Sequence, residues 1–398
     1  MESGRPEPGA VAPTRFKFEW ISDLGVVPRR QWDALAESLA YPFLEYDWLR
    51  TLELSKSTCP ETGWMPYHLV VWSGERLVAA APLYVKGHSA GEFVFDHVWA
   101  DVAQQLNIDY YPKLVGMSPF TPMVGYRFLM APDIDEAQVT RLMIDAIDDL
   151  CTRMGLSGVS FLFVDPNWGR RMQHLGFVPW QHLSFTWTNR QFQNFDGYLA
   201  RFKSNQRRNI KRERLAMEHQ GITLQVHTGG DIPPGYLPRM YRFYERTNDK
   251  FGPWGCKYLT PAFFQMVGDR FARRLVVVAA YRGEDRGAPV GMSLLARKNG
   301  RLYGRYWGSE TDLPMLHFNT CYYTPIEWAI QSGIQQFDPG MGGAHKSRRG
   351  FEAAANHSLH RFYDERLQRI MDQHIDTINR LEQEQIERAN QQLPFAKR

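Results

Sequence analysis

The residues best placed to do chemistry lie in one run, Asp338-Pro-Gly-Met-Gly-Gly-Ala-His345-Lys346-Ser-Arg348-Arg349-Gly350-Phe351. Its glycines let a backbone come close to a ligand, and it then supplies an imidazole and three cations within five positions. After a strand, a loop of this makeup suits a phosphate or a developing oxyanion, and the plainer reading is a structural turn. It is not a Walker loop, because G-x-x-x-x-G-K-[ST] is absent, and no strand, G-x-G-x-x-G, helix fingerprint for a dinucleotide occurs elsewhere.

Two other runs compete with it. Arg201 to Arg214 holds seven basic residues against the single acid Glu213. On a helix Lys203, Arg207, Lys211 and Arg214 share a face and repel one another, so an anion should sit nearby. Phosphates of a nucleotide, a coenzyme or RNA would serve, and a solvated basic face is the bland alternative. Lys86 to Asp101 gathers two histidines (His88, His97) and the acids Glu92, Asp96 and Asp101. Their spacing matches neither H-E-x-x-H nor an EF-hand, so no metal is expected, and a substrate-reading wall with Glu92 or Asp96 as base fits better. No G-x-S-x-G elbow supports a serine triad.

These runs need elements to hold them, and the chain supplies the same elements twice. Leu77–Lys86, Glu92–Asp96, an amphipathic stretch from Val139 to Met154 and Val159–Asp165-Pro166 precede Leu175-Gly176-Phe177. Pro289–Lys298, Leu302–Gly308, an apolar stretch from Phe318 to Gln331 and Ile334–Asp338-Pro339 precede Arg349-Gly350-Phe351. Both halves read strand, strand, helix, strand, then a Gly-Phe step into another strand. A period this long exceeds the roughly 20 to 50 residues of solenoid repeats, so the domain is duplicated. Pro42-Phe-Leu-Glu45-Tyr-Asp-Trp48-Leu49 reads as a helix with Glu45 off its apolar stripe. Between Trp99 and Arg127 the first half carries an aromatic, proline-rich insertion that the second lacks, too aromatic for disorder and long enough to be functional. Phe195 to His219 is expected as one helix, and Asp364 to Gln392 as a terminal helix docked on its own domain. The boundaries follow: a disordered tail at 1–14, a first domain at 15–190, a second at 191–363 and a C-terminal helix at 364–398.

At 398 residues, 43% hydrophobic and 23% charged, the chain has the makeup of a soluble protein with two packed cores. A net charge of +4 is too small to imply nucleic acid by itself. Four cysteines without a C-x-x-C pair suggest neither a zinc ribbon nor a disulfide framework, and the N-terminus lacks the layout of a signal peptide. No apolar run approaches the roughly 20 residues of a membrane span, so a cytoplasmic setting is expected.

The succession of motifs resembles the tandem acetyltransferase-like (GNAT) domains of Fem-type peptidoglycan aminoacyltransferases, and more closely a bacterial family of N-acyltransferases named Fem-like. It rests on Pro42–Leu49, His88–Asp96, Tyr110-Tyr-Pro-Lys-Leu114, Pro119-Phe-Thr-Pro122, Gly304-Arg-Tyr-Trp-Gly308, His317 to Tyr323, and His345-Lys346 to Arg349-Gly-Phe351. The resemblance covers roughly Pro42 to Phe362. Ser204-Asn-Gln-Arg-Arg-Asn-Ile-Lys-Arg212 matches the Fem-type segment Ser-Lys-x-Arg-Arg-Asn-Ile-Arg-Lys, from the domain that meets the charged donor. Lys346 and Arg349 match the Lys and Arg that precede the family's terminal Gly-Phe near the reaction centre. GNAT enzymes bind the pyrophosphate of CoA with [QR]-x-x-G-x-[GA]; here that place holds Ser309 to His317, a departure shared with Fem-type enzymes, whose donor is aminoacyl-tRNA.

The expectation is an α+β protein of two tandem GNAT-like domains with mixed sheets flanked by helices, acting as an N-acyltransferase on an amine of a small-molecule or cell-wall-related acceptor. A Fem-type ligase using aminoacyl-tRNA on a peptidoglycan precursor and a non-catalytic protein binding RNA or another anionic ligand are the alternatives. His345, Lys346, Arg349 and Asp96 are expected to be catalytic. Glu45, Glu92, Trp99, Tyr110, Tyr111, Lys113, Thr121, Arg305 and Trp307 should read the substrate, and Arg207, Arg208, Lys211 and Arg212 should clamp the donor phosphates. The donor would be acyl-CoA or aminoacyl-tRNA, with tRNA as the macromolecular partner in the second case and no metal in either.

Overall fold

The computed structural model describes residues 16–252, 255–283 and 287–396; the expected N-terminal tail lies outside them. The first unit contains β1 (Phe16–Ile21), α1 (Arg29–Ala36), α2 (Tyr46–Leu54), β2 (Trp64–Pro66), β3 (His68–Ser73), β4 (Arg76–Ala81) and β5 (Leu83–Lys86). It continues through α3 (His97–Gln105), β6 (Lys113–Gly116), β7 (Leu129–Met130), α4 (Glu136–Met154), β8 (Gly158–Phe161), α5 (Pro166–Gln173) and β9 (Val178–Thr188). The second unit holds α6 (Phe195–Ala200), α7 (Ser204–His219), β10 (Ile222–Thr228), α8 (Tyr236–Asp249), α9 (Pro261–Arg270), β11 (Leu275–Arg282), β12 (Gly291–Lys298) and β13 (Arg301–Ser309). It ends with α10 (Leu316–Phe318), a π-helical turn at Asn319–Tyr323, α11 (Thr324–Gln331), β14 (Gln336–Asp338), β15 (Glu352–Phe362) and α12 (Glu365–Gln391).

Local chemistry explains the crossovers. In α4 the Asp135 carboxylate accepts from the N–H groups of Ala137 and Gln138, Val139, Met143, Ile147 and Leu150 bury one face, and Gly155 ends the helix at φ 63°. The helix expected over Phe195 to His219 is two helices, because Phe202 leaves the axis to bridge to Phe395, close to the end of the chain. Both Gly-Phe steps turn through a left-handed glycine, Gly176 at φ 86° and Gly350 at φ 76°, a conformation that costs glycine little.

The second unit builds β10-β11-β12-β13 antiparallel, with β14 parallel to β13 across the crossover helix. In the first, β6 lies parallel to β8 across α4. The units then exchange their last strands: β9 pairs with β14 of the second unit, and β15 pairs with β8 of the first. The boundary near residue 190 therefore parts the chain but not the sheet, which runs continuously over eleven strands. Helix α12 lies across both exchanged strands, with Asn379 accepting from the Gln181 N–H and Asn390 from the Ala353 N–H.

Glu45 locks the units together. Its buried carboxylate meets Arg273 at 3.1 Å, Arg274 at 2.7 Å and Lys298 at 2.7 Å, all from the second unit. Burial alone would raise this carboxyl, but hydrogen bonds from Arg274 and Lys298 hold it below the usual range. Tyr41 and Phe43 pack edge-on against Tyr303 beside it.

Candidate functional site

Parallel strands joined by a helix leave a gap where they splay, and the two units treat that gap differently. In the first, the register runs Leu114 to Val159, Val115 to Ser160 and Gly116 to Phe161. Beyond Gly116 the insertion returns and fills the space: the N–H groups of Gly125 and Tyr126 donate to Phe163 O, and Tyr126 bridges to Val164. The fully buried Tyr126 ring stacks on Phe161 and meets Trp168 edge-on. In the second unit pairing ends at Tyr303 and Asp338, and among the described residues no bridge continues it. A cavity of about 680 Å³ opens there, lined by Ser293, Trp307, His317, Tyr322, His345 and Lys346 among others. A second, of about 360 Å³, shares its Gly304–Trp307 wall and reaches Phe93, Phe120 and Pro122 of the first unit.

The Gly-rich loop delivers its side chains to this gap. Asp338 accepts from the Gly340 N–H at 2.9 Å, turning the chain out of β14. Lys346 comes back under the loop, donating to Gly340 O at 2.6 Å and Met341 O at 2.9 Å, which leaves one of its three protons for a ligand. Burial lowers the Lys346 ammonium from the ordinary lysine value, with Asp338 opposing the shift, and burial raises the Asp338 carboxyl. His345 accepts or donates at Nε2 to the Tyr322 hydroxyl at 3.0 Å. Burial first, and then the charges of Lys346 and Arg349, lower its pKa and keep the imidazole neutral near pH 7. His317, its ring tilted at 42° and 4.6 Å from Trp307, is pushed down to about 3 by burial first and then by His345, Arg349 and Lys346.

Arg349 braces the loop from behind. It donates to Glu213 of α7 at 2.7 Å and to His345 O at 2.9 Å, with its guanidinium 3.3 Å from the centre of the Phe318 ring. Tyr323 donates to the same Glu213 carboxylate, and Gln206 of α7 donates to Arg348 O at 2.7 Å. Helix α7 is thus tied to the loop by its acid and an amide. Arg214 pairs with Glu327, whereas Arg207, Arg208, Lys211 and Arg212 form no ion pair with any described residue.

Arg305 stands at the neck between the cavities. It donates to Phe120 O at 2.6 Å and to the Tyr306 hydroxyl, and stacks on the rings of Tyr306, Phe43 and Trp48. Trp307 lines both cavities.

The remaining expected site residues lie elsewhere. Lys113 is buried with Glu92 at 2.8 Å, Ser89 at 2.9 Å and Asp96 in contact, and Tyr110 donates to Asp96 at 2.8 Å. Burial would raise Asp96, but Lys113 outweighs it and holds the carboxyl low, so it is a poor base. Burial raises Glu92, and Tyr111 shares Ser89 with Asp96. Trp99 packs edge-on against Trp180 in the apolar layer under α12, and Thr121 donates to Pro119 O inside the insertion. Glu45 is the clamp between units described above. Sequence reasoning gave no role to Tyr322 or His317, although both lie in the motif His317 to Tyr323, and the π-helical turn at Asn319–Tyr323 that aims Tyr322 has no signature in composition. Among the described residues no group of three His, Cys, Asp or Glu gathers as metal ligands would, and no helix is long and apolar enough to cross a membrane.

The chain belongs to the FemAB-like family, described as peptidoglycan biosynthesis/recognition, whose model matches residues 23–397. None of the curated proteins matches it. Among solved structures it is similar to FemX at 13% identity, over 89% of this chain and 99% of that one, with a TM-score of 0.53. It is also similar to the C-terminal domain of a protein assigned as a lysylphosphatidylglycerol synthetase from Agrobacterium fabrum, at 9% identity, over 86% and 94%, with a TM-score of 0.52. A tandem GNAT protein from the clavulanic acid biosynthesis pathway matches at 13% identity, over 87% and 98%, with a TM-score of 0.43. The first two likenesses concern the fold alone, and they accord with the duplicated α+β architecture.

Proposed function

We propose that this member of the FemAB-like family transfers an activated acyl group, with aminoacyl first among the candidates, to an amine of a cell-wall precursor in the gap between β13 and β14. The observation that carries this reading is the open gap itself: a neutral imidazole and a buried ammonium share one cavity in the second unit, while the corresponding gap of the first is filled.

The chemistry follows from the groups present. An amine attacking a carbonyl must lose a proton, and the carbonyl oxygen gains negative charge as it does so. His345 is neutral near pH 7 and can take up that proton. The remaining N–H of Lys346 can meet the oxyanion. Arg305 and Trp307 wall the passage toward Phe93 and Phe120, the route open to an acceptor. The unpaired cations of α7 suit a polyphosphate or nucleic-acid donor; a CoA donor would have to do without the usual pyrophosphate loop, since Ser309 to His317 occupies that place.

The test offers the protein a soluble muropeptide precursor with either total tRNA charged with radiolabelled amino acids or radiolabelled acetyl-CoA. Label appearing in an amide of the precursor from charged tRNA is the expected result. Label from acetyl-CoA alone would retain acyl transfer and change the donor. Salt-dependent tRNA binding with no transfer from either donor would sink the enzymatic reading in favour of a binding protein.

A further inference from the structure

We infer that the group meeting the substrate amine is the Tyr322 hydroxyl, with His345 behind it as the proton store, so that the two work as one relay. The inference rests on the acyl-transfer reading for its chemistry, but its geometry stands apart from it.

Three observations carry it. Tyr322 and His345 both line the larger cavity, and the Tyr322 oxygen is 3.0 Å from Nε2 of His345. The structure shows no other hydrogen-bond partner for the Tyr322 hydroxyl among the described residues, and Tyr322 is 4% exposed. Among the described residues Nε2 is the one acceptor within reach of the phenol proton, so in the relay the phenol donates and Nε2 accepts. His345 must then carry its own proton on Nδ1. Its only lone pair faces the tyrosine, and the imidazole can receive a proton from the cavity only through the Tyr322 oxygen. The π-helical turn at Asn319–Tyr323 explains the aim: the extra residue lets Tyr322 reach His345 while Tyr323 reaches Glu213.

The step balances. As the amine nitrogen bonds to the acyl carbon, its proton passes to the Tyr322 oxygen and the phenol proton passes to Nε2 of His345. When the acyl carbon breaks its bond to the donor oxygen or sulfur, the same path reversed returns one proton to that leaving atom. Tyr322 and His345 end as they began, and no other reactant is consumed.

The test labels the full-length protein with 15N-histidine and records long-range proton–nitrogen correlations, with His345→Gln identifying the His345 signals. The expected result is His345 protonated on Nδ1 with an acceptor-type Nε2, shifted toward the commoner Nε2-protonated form in Tyr322→Phe. Nε2 protonated in the native protein, or a His345 signal indifferent to Tyr322→Phe, overturns the inference. In the charged-tRNA assay Tyr322→Phe and His345→Gln should each lose about 100-fold, and the double variant no more than either alone. Multiplying losses would overturn the relay and leave two independent groups. Failure of transfer in the native protein would instead strike the proposed function, while the nitrogen shifts still decide the pairing.

Discussion

The two units are copies of one scaffold, and they differ most where their parallel strands part. In the first, the insertion turns back and seals the gap with Tyr126; its charged residues, Lys113, Glu92 and Asp96, form a buried network at the opposite end of β6. In the second, the corresponding gap is hollow, and His345 and Lys346 of the loop line it. A lysine held by buried acids stabilises the first unit, whereas Lys346 of the second lines a cavity.

The sharpest way to break this contrast is to remove Lys113. Lys113→Met leaves two buried carboxylates unpaired and should destabilise by about 3–5 kcal/mol, read as a lower urea midpoint. Adding Glu92→Gln and Asp96→Asn should recover part of the loss. If Lys113→Met kept native stability and lost only activity, the first unit would hold a functional site after all.

Gly116 at the last pair of β6 and Gly304 just past the last pair of β13 and β14 sharpen it further. A Cβ on Gly116 would lie 2.4 Å from the Tyr126 hydroxyl oxygen and 2.5 Å from Phe161, both fully buried, whereas one on Gly304 would meet nothing nearer than Pro339 O at 3.3 Å. Gly116→Ala should therefore cost about 1–3 kcal/mol by overpacking, and Gly304→Ala a fraction of that. Equal costs would mean the two gaps are not unlike.

The seam between the units should be sensitive to acid. On the exchanged strands His182, Ser358 and His360 form a hydrogen-bonded chain, and burial pushes His182 down to about 4 and His360 to about 3. The native state holds the neutral imidazoles, so their stabilisation is complete above the unfolded pKa near 6.5 and is lost as pH falls from there toward 4 and 3. His360 alone should cost about 1.4 kcal/mol by pH 5.5, measured as a falling urea midpoint that flattens in His360→Asn.

The smallest effect on stability belongs to α7. Reversing Arg208, Lys211 and Arg212 to Glu should leave the urea midpoint within about 0.5 kcal/mol and abolish the salt-dependent part of tRNA binding. A large stability loss would make these cations structural.

Much of this architecture was legible in the chain. The duplicated order of elements, the Gly-Phe steps at 176–177 and 350–351, the aromatic insertion and the Gly-rich loop all rest on local residue preferences. The strand exchange was not, because β9 pairs with β14 across roughly 150 residues and β15 with β8 across roughly 200, and no short pattern encodes a partner that distant. The repeat also misaligned one feature: Asp338 pairs in register with Tyr303, whereas Asp165 lies beyond β8 and caps α5 through the N–H groups of Asn167 and Trp168. Residue type alone could not separate Asp96 from a base or Glu45 from a substrate contact, since buried ion pairs and active sites draw on the same side chains.

The central claim is that chemistry occurs only in the hollow gap of the second unit, and Lys346→Met tests it most directly. That variant keeps the length of the side chain and removes the ammonium that faces the cavity. The account predicts that label transfer from charged tRNA to the precursor falls at least about 100-fold in a protein that stays folded, its stability lowered by about 1–3 kcal/mol as Gly340 O and Met341 O lose their donor. Transfer within twofold of native, in a folded protein, would place the reaction elsewhere.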